Sequence, residues 1–221
     1  MTERRATRGP STEVSMRKAL VELLGTFFLV LVIGLTVLSP DVTAMAPLAI
    51  GAILAVMVYA GGPVSGAHYN PAVTLAVWLR GKCETRDAAW YVVAQVIGSV
   101  LAALVVGAVR GPATSALDPE VVPALAVELL FTFALAFVVL HVATTKKSAG
   151  NSYYGLAIGF TVMAAACAAG DISGGAFNPA VAIGITLMRL VTPASLWIFI
   201  AANLAGGALA AFVFRITTPD A

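Results

Sequence analysis

Two copies of one short motif hold the residues whose types and spacing could do chemistry. The sequence reads SGAHYNPAV over residues 65–73 and SGGAFNPAV over residues 173–181. Asparagine is a favoured helix N-cap and proline a favoured first helical residue, so each copy predicts a helix that begins after its asparagine. If Asn70 and Asn178 cap with their side-chain oxygens, both amide groups stay free to donate hydrogen bonds. The motifs therefore indicate hydrogen bonding to a passing molecule rather than covalent chemistry.

The motif belongs to a repeat that covers most of the chain. Three further segments recur 106 or 108 residues later: Leu48–Gly51 as Leu156–Gly159, Ala94–Gly98 as Ala202–Gly206, and Val21–Leu24 as Val127–Leu130. The protein is therefore one unit of about a hundred residues used twice, and we expect its functional site where the two copies meet.

The composition excludes an ordinary soluble protein. Hydrophobic residues make up 60% of the chain and charged residues only 11%. A helix needs about 20 apolar residues to cross a bilayer. Six stretches approach that length, at roughly 19–38, 46–62, 88–109, 122–142, 154–170 and 194–214. We expect a tail over residues 1–18, one lipid-embedded domain over 19–216 with repeats at about 19–110 and 122–216, and a second tail over 217–221.

The basic residues predict how the chain lies in the membrane. With the N-terminus inside, 11 of the 13 Lys and Arg residues fall on the cytoplasmic side, and only Arg110 and Arg189 fall outside. This asymmetry follows the positive-inside rule. Both termini are then cytoplasmic, and we expect the plasma (inner) membrane. Because each repeat has three spans, an odd number, the second copy is inverted relative to the first.

Each motif is followed by a stretch too short to span the bilayer. Pro71–Leu79 gives nine apolar residues, about 14 Å of helix against about 30 Å of hydrocarbon. The second copy, Pro179 to Arg189, behaves in the same way. The pattern predicts half-helices that enter from opposite faces and meet end to end. Their N-termini then place partial positive charge at the bilayer centre, which opposes the passage of cations and protons.

On these features the chain resembles the aquaporin or major intrinsic protein family over its whole length. The resemblance implies an all-α membrane protein with six transmembrane helices and two re-entrant half-helices, acting as a passive channel for water and small uncharged solutes. It also implies a homotetramer without cofactor, metal, nucleic-acid partner or enzymatic activity. The motif residues of the pore would be Asn70, Pro71, Ala72, Asn178, Pro179 and Ala180.

The resemblance also points to a selectivity filter, and here the chain departs from many family members. They carry an arginine after the second motif, where this chain has Val181. The other filter positions correspond to Ile50, Ala166 and Gly175. This set predicts a wide, apolar opening that admits glycerol, urea, ammonia or hydrogen peroxide as well as water. A strict water channel is the alternative.

Several polar residues lie within or beside the apolar stretches. Glu22 and Glu128 occupy equivalent positions, and intramembrane carboxylates usually have a purpose. They could hold the backbone amides of the re-entrant loops, the role we favour, or couple transport to protons. We expect Gln95 and Asn203 to hydrogen-bond the loops as well. His68 could line the inner vestibule or respond to pH.

Two other classes of protein compete with a channel. Ion-coupled secondary transporters also use inverted repeats and broken helices, but they need titratable or ion-binding groups at the central site. A structural membrane protein without a pore has no need for two helix ends at mid-membrane. The sequence offers no nucleophile with a base and no phosphate-binding glycine loop, so an enzyme has almost no support.

Overall fold

The computed structural model describes residues 12–219, and within them the chain is a bundle of eight α-helices. Six are long and apolar enough to cross a membrane, as the sequence predicts. The other two, α3 and α7, are the nine-residue half-helices. In chain order the helices are α1 Thr12–Val37, α2 Ala46–Ser65, α3 Pro71–Leu79, α4 Thr85–Arg110, α5 Val121–Thr144, α6 Tyr154–Ser173, α7 Pro179–Leu187 and α8 Leu196–Thr217.

The first helix begins earlier than the expected tail of residues 1–18 allows. It is helical from Thr12, and its first turns are tied to α4. Ser15 Oγ and Lys18 Nζ donate to the two carboxylate oxygens of Asp87, at 2.9 Å and 2.6 Å. Polar contacts therefore extend the helix beyond its apolar stretch. The rest of the expected N-terminal tail, residues 1–11, and residues 220–221 of the C-terminal tail lie outside the described residues.

The re-entrant loops begin at the glycine that follows each of the second helices of the two repeats. Ser65 and Ser173 are the last residues of α2 and α6, and the glycine after each ends the helix. Gly66 and Gly174 have φ values of 87° and 93°, the left-handed conformation that glycine adopts most cheaply. Each glycine thereby turns the chain from a full span into the loop that leads to its motif.

The outer helices cross closely at one glycine in each repeat. A Cβ atom on Gly98 of α4 would collide with the carbonyl oxygen of Leu23 in α1. A Cβ atom on Gly206 of α8 would lie 2.5 Å from the carbonyl oxygen of Leu129 in α5. Small residues at such crossings let helix backbones approach within a membrane. The two crossings occupy equivalent positions in the repeat, so both halves of the bundle pack their outer helices in the same way.

The half-helices enter the bundle from opposite ends. The end of α3 lies where α8 ends, because Arg215 donates a hydrogen bond to the carbonyl oxygen of Leu79. The end of α7 is followed by Met188, whose carbonyl accepts from the amide of Ala113, at 3.0 Å, in the α4–α5 connection. We call the end of the bundle where α8 finishes the near side, and the end where α4 passes into α5 the far side.

Candidate functional site: two half-helices and the cavities they join

Both asparagines cap the half-helices that follow them. The side-chain oxygen of Asn70 accepts hydrogen bonds from the amides two and three residues on, at 2.8 Å and 3.4 Å. The oxygen of Asn178 does the same at 2.9 Å and 3.4 Å. The expected helix starts at Pro71 and Pro179 are therefore present, with these prolines and the alanines after them, Ala72 and Ala180, buried.

Each asparagine amide already uses one of its two N–H groups within the protein, so the expectation that both amide groups would be wholly free is wrong. Nδ2 of Asn70 donates to the carbonyl oxygen of Phe177 at 2.9 Å, and Nδ2 of Asn178 donates to that of Tyr69 at 2.8 Å. Each motif thus binds the residue that precedes the asparagine of the other copy. Because a carboxamide has two N–H groups, one donor on each asparagine remains for a molecule between the half-helices.

Glu22 of α1 holds the first re-entrant loop from behind. Its two carboxylate oxygens accept from the amide of His68 at 2.9 Å and the amide of Tyr69 at 2.6 Å. They also accept from Ser65 Oγ at 2.7 Å and from Nε2 of Gln95 at 2.8 Å. The carboxylate is fully buried, and four donors converge on it. It therefore satisfies the loop amides that the bilayer could not.

Glu128 of α5 repeats this arrangement in the second half. It accepts from Ser173 Oγ at 2.7 Å, the amide of Ala176 at 2.9 Å and the amide of Phe177 at 2.7 Å. It too is fully buried. The repeat thus places one carboxylate behind each loop.

Gln95 and Asn203 do not bind the loops directly, contrary to expectation. Gln95 Nε2 binds Glu22 and, at 3.1 Å, the hydroxyl of Thr74 in α3. The side-chain oxygen of Asn203 accepts from Thr132 Oγ1 at 3.0 Å. Gln95 thus acts one step behind its loop, because Glu22 already occupies the loop amides, and Asn203 is held by a residue of α5.

With its amides turned toward Glu128, the second loop keeps its carbonyl groups available. Among the described residues, none donates a hydrogen bond to the carbonyl oxygens of Gly174, Gly175 or Ala176. All three residues line the cavities described next. The loop therefore offers acceptors to a passing molecule.

Three cavities follow one another through the bundle between the half-helices. A central cavity of about 30 Å³ contains both asparagines in its wall. A far cavity of about 330 Å³ adjoins it on the far side, and a near cavity of about 270 Å³ adjoins it on the near side. A water molecule needs at least about 10–15 Å³ measured in this way, so the central cavity holds about two. The passage is narrow in the middle and wide at both ends.

The wall of the central cavity is built from repeat-related pairs. Within residues 12–219, its eighteen lining residues form nine pairs, each separated by 106 or 108 positions. Asn70 pairs with Asn178, and Val73 with Val181. Most of the other pairs are aliphatic, for example Leu29 with Leu135. The cavity therefore lies where the two copies meet, with the asparagines as its principal donors.

The four expected filter residues do not all occupy equivalent places. Ile50, Gly175 and Val181 line both the central and the far cavity, so they lie at the neck between them. Ala166 lines the far cavity without reaching the central one. Ile33 of α1 also lines both cavities, and sequence reasoning missed it. An isoleucine within an apolar helix carries no distinguishing pattern.

His68 lies at the opposite neck. It lines both the central and the near cavity and is 8% exposed. Its Nδ1 lies 3.1 Å from Thr74 Oγ1, and its ring makes an edge contact with Tyr91, centroid to centroid at 5.1 Å. Its repeat equivalent is Ala176, so the histidine distinguishes the near neck from the far one.

Comparison with known proteins identifies the family. The family model described as "Major intrinsic protein" matches residues 10–214. A "Glycerol uptake facilitator protein-like 6" from Lactiplantibacillus plantarum is 37% identical over 91% of this chain and 98% of its own length. "Aquaporin NIP1-3" from Oryza sativa subsp. japonica is 37% identical over 90% of this chain and 73% of its own.

The fold is shared with a protein of known structure. The X-ray structure of the aquaglyceroporin from Plasmodium falciparum superposes with a TM-score of 0.78, at 19% identity, covering 93% of this chain and 98% of that one. The family model thus matches nearly the whole sequence of a chain with three structural features. These are paired half-helices capped by Asn-Pro-Ala, two loops held by carboxylates, and an inverted repeat around one narrow cavity. The chain is a member of the major intrinsic protein family.

Proposed function

We propose that this integral membrane protein is a passive channel that conducts water and small uncharged solutes such as glycerol. The observation that carries the proposal is the narrow central cavity, which lies where the half-helices meet and connects two wider cavities. Similarity to a glycerol uptake facilitator over 91% of the chain, and to an aquaporin over 90% of it, supports the proposal. Stopped-flow light scattering tests the proposal directly. The water and glycerol permeability of proteoliposomes must exceed that of protein-free liposomes.

The charges around the cavity favour neutral solutes. The two half-helix N-termini bring partial positive charge to the centre of the passage. No carboxylate is among the described residues that line the central or far cavity. A cation that enters about 30 Å³ must shed most of its water, and none of the described lining residues offers a carboxylate in exchange. Ions are therefore rejected even though the filter has no arginine.

The filter that we propose is apolar and sieves solutes by size. Ile50, Gly175 and Val181 form the neck, and Ala166 widens the approach from the far cavity. Of the described residues that line the far cavity, only Thr43 has a polar side chain. Small solutes that tolerate this surface, including glycerol, urea, ammonia and hydrogen peroxide, form the expected substrate range. If the wild-type channel passes water alone, the strict water channel is correct.

Replacing Val181 by arginine is expected to reduce glycerol and urea permeability by about tenfold or more, with a smaller loss for water. Val181 is 3% exposed and lies at the neck, so the guanidinium must enter the passage. The carbonyls of Gly174–Ala176, to which none of the described residues donates, can accept its hydrogen bonds. The measurement is the ratio of glycerol to water permeability in stopped flow. Val181→Ile adds bulk without charge, and an unchanged ratio in Val181→Arg would contradict the proposed filter.

Proton-coupled transport lacks a carboxylate among the described residues that line the passage. Glu22 and Glu128 are the candidate carboxylates, and their oxygens face Ser65 or Ser173 and the loop amides. Neither belongs to the described lining of the central, far or near cavity. Flux that rises linearly with solute concentration and ignores an imposed proton gradient is therefore expected.

We also propose that the near side is cytoplasmic, that the protein resides in the plasma (inner) membrane, and that it forms a homotetramer with one pore per subunit. The excess of basic residues on the near side supports the orientation. Family membership supports the tetramer. Chemical cross-linking in native membranes tests the tetramer, which a monomer band alone would contradict.

Labelling of Cys83 tests the orientation. This thiol lies between α3 and α4 on the near side, and burial, followed by the negative charge of Asp87, raises the pKa of the Cys83 thiol to about 11. Because only the thiolate reacts, labelling is expected to be slow at pH 8 and about tenfold faster at pH 9. A charged, membrane-impermeant methanethiosulfonate should label inside-out vesicles and spare right-side-out ones, in a Cys167→Ser background. The reverse pattern would invert the topology.

A further inference from the structure

Four of the described residues line both the central and the far cavity: Ile33, Ile50, Gly175 and Val181. Three of them occupy expected filter positions, and the fourth comes from α1. We propose that Ile33 is a wall of the outer neck and a residue that determines which solutes pass by size. The proposal rests on the proposed channel function and adds a residue and a mechanism of selection to it.

The inverted repeat supports this position independently. The residue equivalent to Ile33 is Val139 of α5, 106 positions later. Val139 lines both the central cavity and the near cavity, so it lies at the neck on the opposite side. The first helix of each repeat thus supplies one aliphatic residue to one end of the narrow passage. A chance contact of Ile33 with the cavity would not have a symmetric partner.

The segment of α1 that carries Ile33 has little room to move. A Cβ atom on the adjacent Gly34 would lie 2.5 Å from Met188 Sδ and 2.6 Å from a methyl group of Val106. The helix is therefore held tightly against α4 and the end of α7. Ile33 itself is 8% exposed, and a β-branched side chain in a helix keeps one preferred rotamer. The neck consequently has a fixed aliphatic wall on this side.

Because of the composition of the neck, the side chain of Ile33 helps to decide which solutes pass. Gly175 contributes no side chain, and Val181 contributes neither a charge nor a donor. The width of the neck is left to the aliphatic side chains of Ile33, Ile50 and Val181. Without a side chain that recognises one solute by hydrogen bonding, selection occurs by cross-section. Uncharged molecules larger than water are therefore the class whose passage Ile33 controls.

Truncating and enlarging this side chain tests the proposal in proteoliposomes that contain the full chain. Ile33→Ala is expected to raise the ratio of glycerol to water permeability by about tenfold, and Ile33→Val should raise it less. Ile33→Phe is expected to lower the ratio. Val37→Ala is the matched control, because Val37 lies one turn further along α1 and lines the far cavity but not the central one. Its ratio should equal that of the wild type.

The outcomes separate this proposal from the channel function itself. If wild-type liposomes conduct water and glycerol no faster than protein-free ones, the channel function fails. If the wild type conducts and Ile33→Ala and Ile33→Val leave the ratio unchanged, Ile33 is not a wall of the neck. A ratio that responds to Ala166→Leu but not to Ile33→Ala would also overturn the proposal, because it would place the neck at Ala166. Ile33→Val keeps the test valid if Ile33→Ala does not fold.

Discussion

Replacing Glu128 by glutamine is expected to lower the free energy of unfolding by about 2–4 kcal/mol. Three donors, from Ser173, Ala176 and Phe177, converge on the carboxylate. Glutamine keeps one oxygen but turns an amide donor toward one of these donors. The buried N–H group left without an acceptor has no water to replace it in a membrane. The loop that carries the second motif therefore loses its fixed position.

The measurement is thermal unfolding in detergent, followed by circular dichroism. The apparent midpoint should fall by roughly 5–15 °C, and water permeability should fall with it. Glu120→Gln is the matched control, since Glu120 is an exposed glutamate directly before α5. An unchanged midpoint in Glu128→Gln would mean that the loop does not depend on the carboxylate. Glu22→Gln should behave similarly, because four donors face that side chain.

Introducing a single methyl group at Gly98 is expected to destabilise the fold by about 1–3 kcal/mol or more. The new Cβ atom would collide with the carbonyl oxygen of Leu23 and lie 3.2 Å from the amide nitrogen of Phe27. Both atoms belong to the backbone of α1, so no side-chain rotation relieves the contact. The helices α1 and α4 must then separate along the whole crossing.

Gly107 provides an internal control on the same helix. A Cβ atom there meets no atom of the described residues within 4 Å. Gly107→Ala should therefore leave stability unchanged or raise it by up to about 1 kcal/mol, since alanine is the better helix former. Measured side by side, the apparent unfolding temperature should fall in Gly98→Ala and stay equal to that of the wild type or rise in Gly107→Ala. Equal midpoints for Gly98→Ala and Gly107→Ala would rule out a close crossing at Gly98.

Much of the fold could be predicted from the sequence because its signals are local and occur twice. An asparagine followed by a proline fixes the start of each half-helix, and hydropathy reveals the six spans. The odd number of spans in each repeat then implies inversion. The pairing of residues around the central cavity follows from the same repeat, since any lining residue in one copy predicts its equivalent in the other.

The parts that were wrong or missed depend on contacts between the repeats. The amide of Asn70 finds a carbonyl 107 residues away, and a backbone carbonyl has no signature in a sequence. Gln95 appeared to be a loop partner, but Glu22 already occupies the loop amides. Ile33 is one aliphatic residue among many on α1, so only the shape of the cavities distinguishes it.

The crossed hydrogen bonds between the asparagines and the opposite loops also constrain how the protein is made. When the ribosome has released only the first repeat, the carbonyl of Tyr69 and the amide of Asn70 both lack the partners that they have in the finished protein. The first half-helix therefore reaches its final environment only after the second has been synthesised and inserted. A nascent chain stopped between the repeats is not half a channel, and we expect cellular quality control to treat it as unfinished.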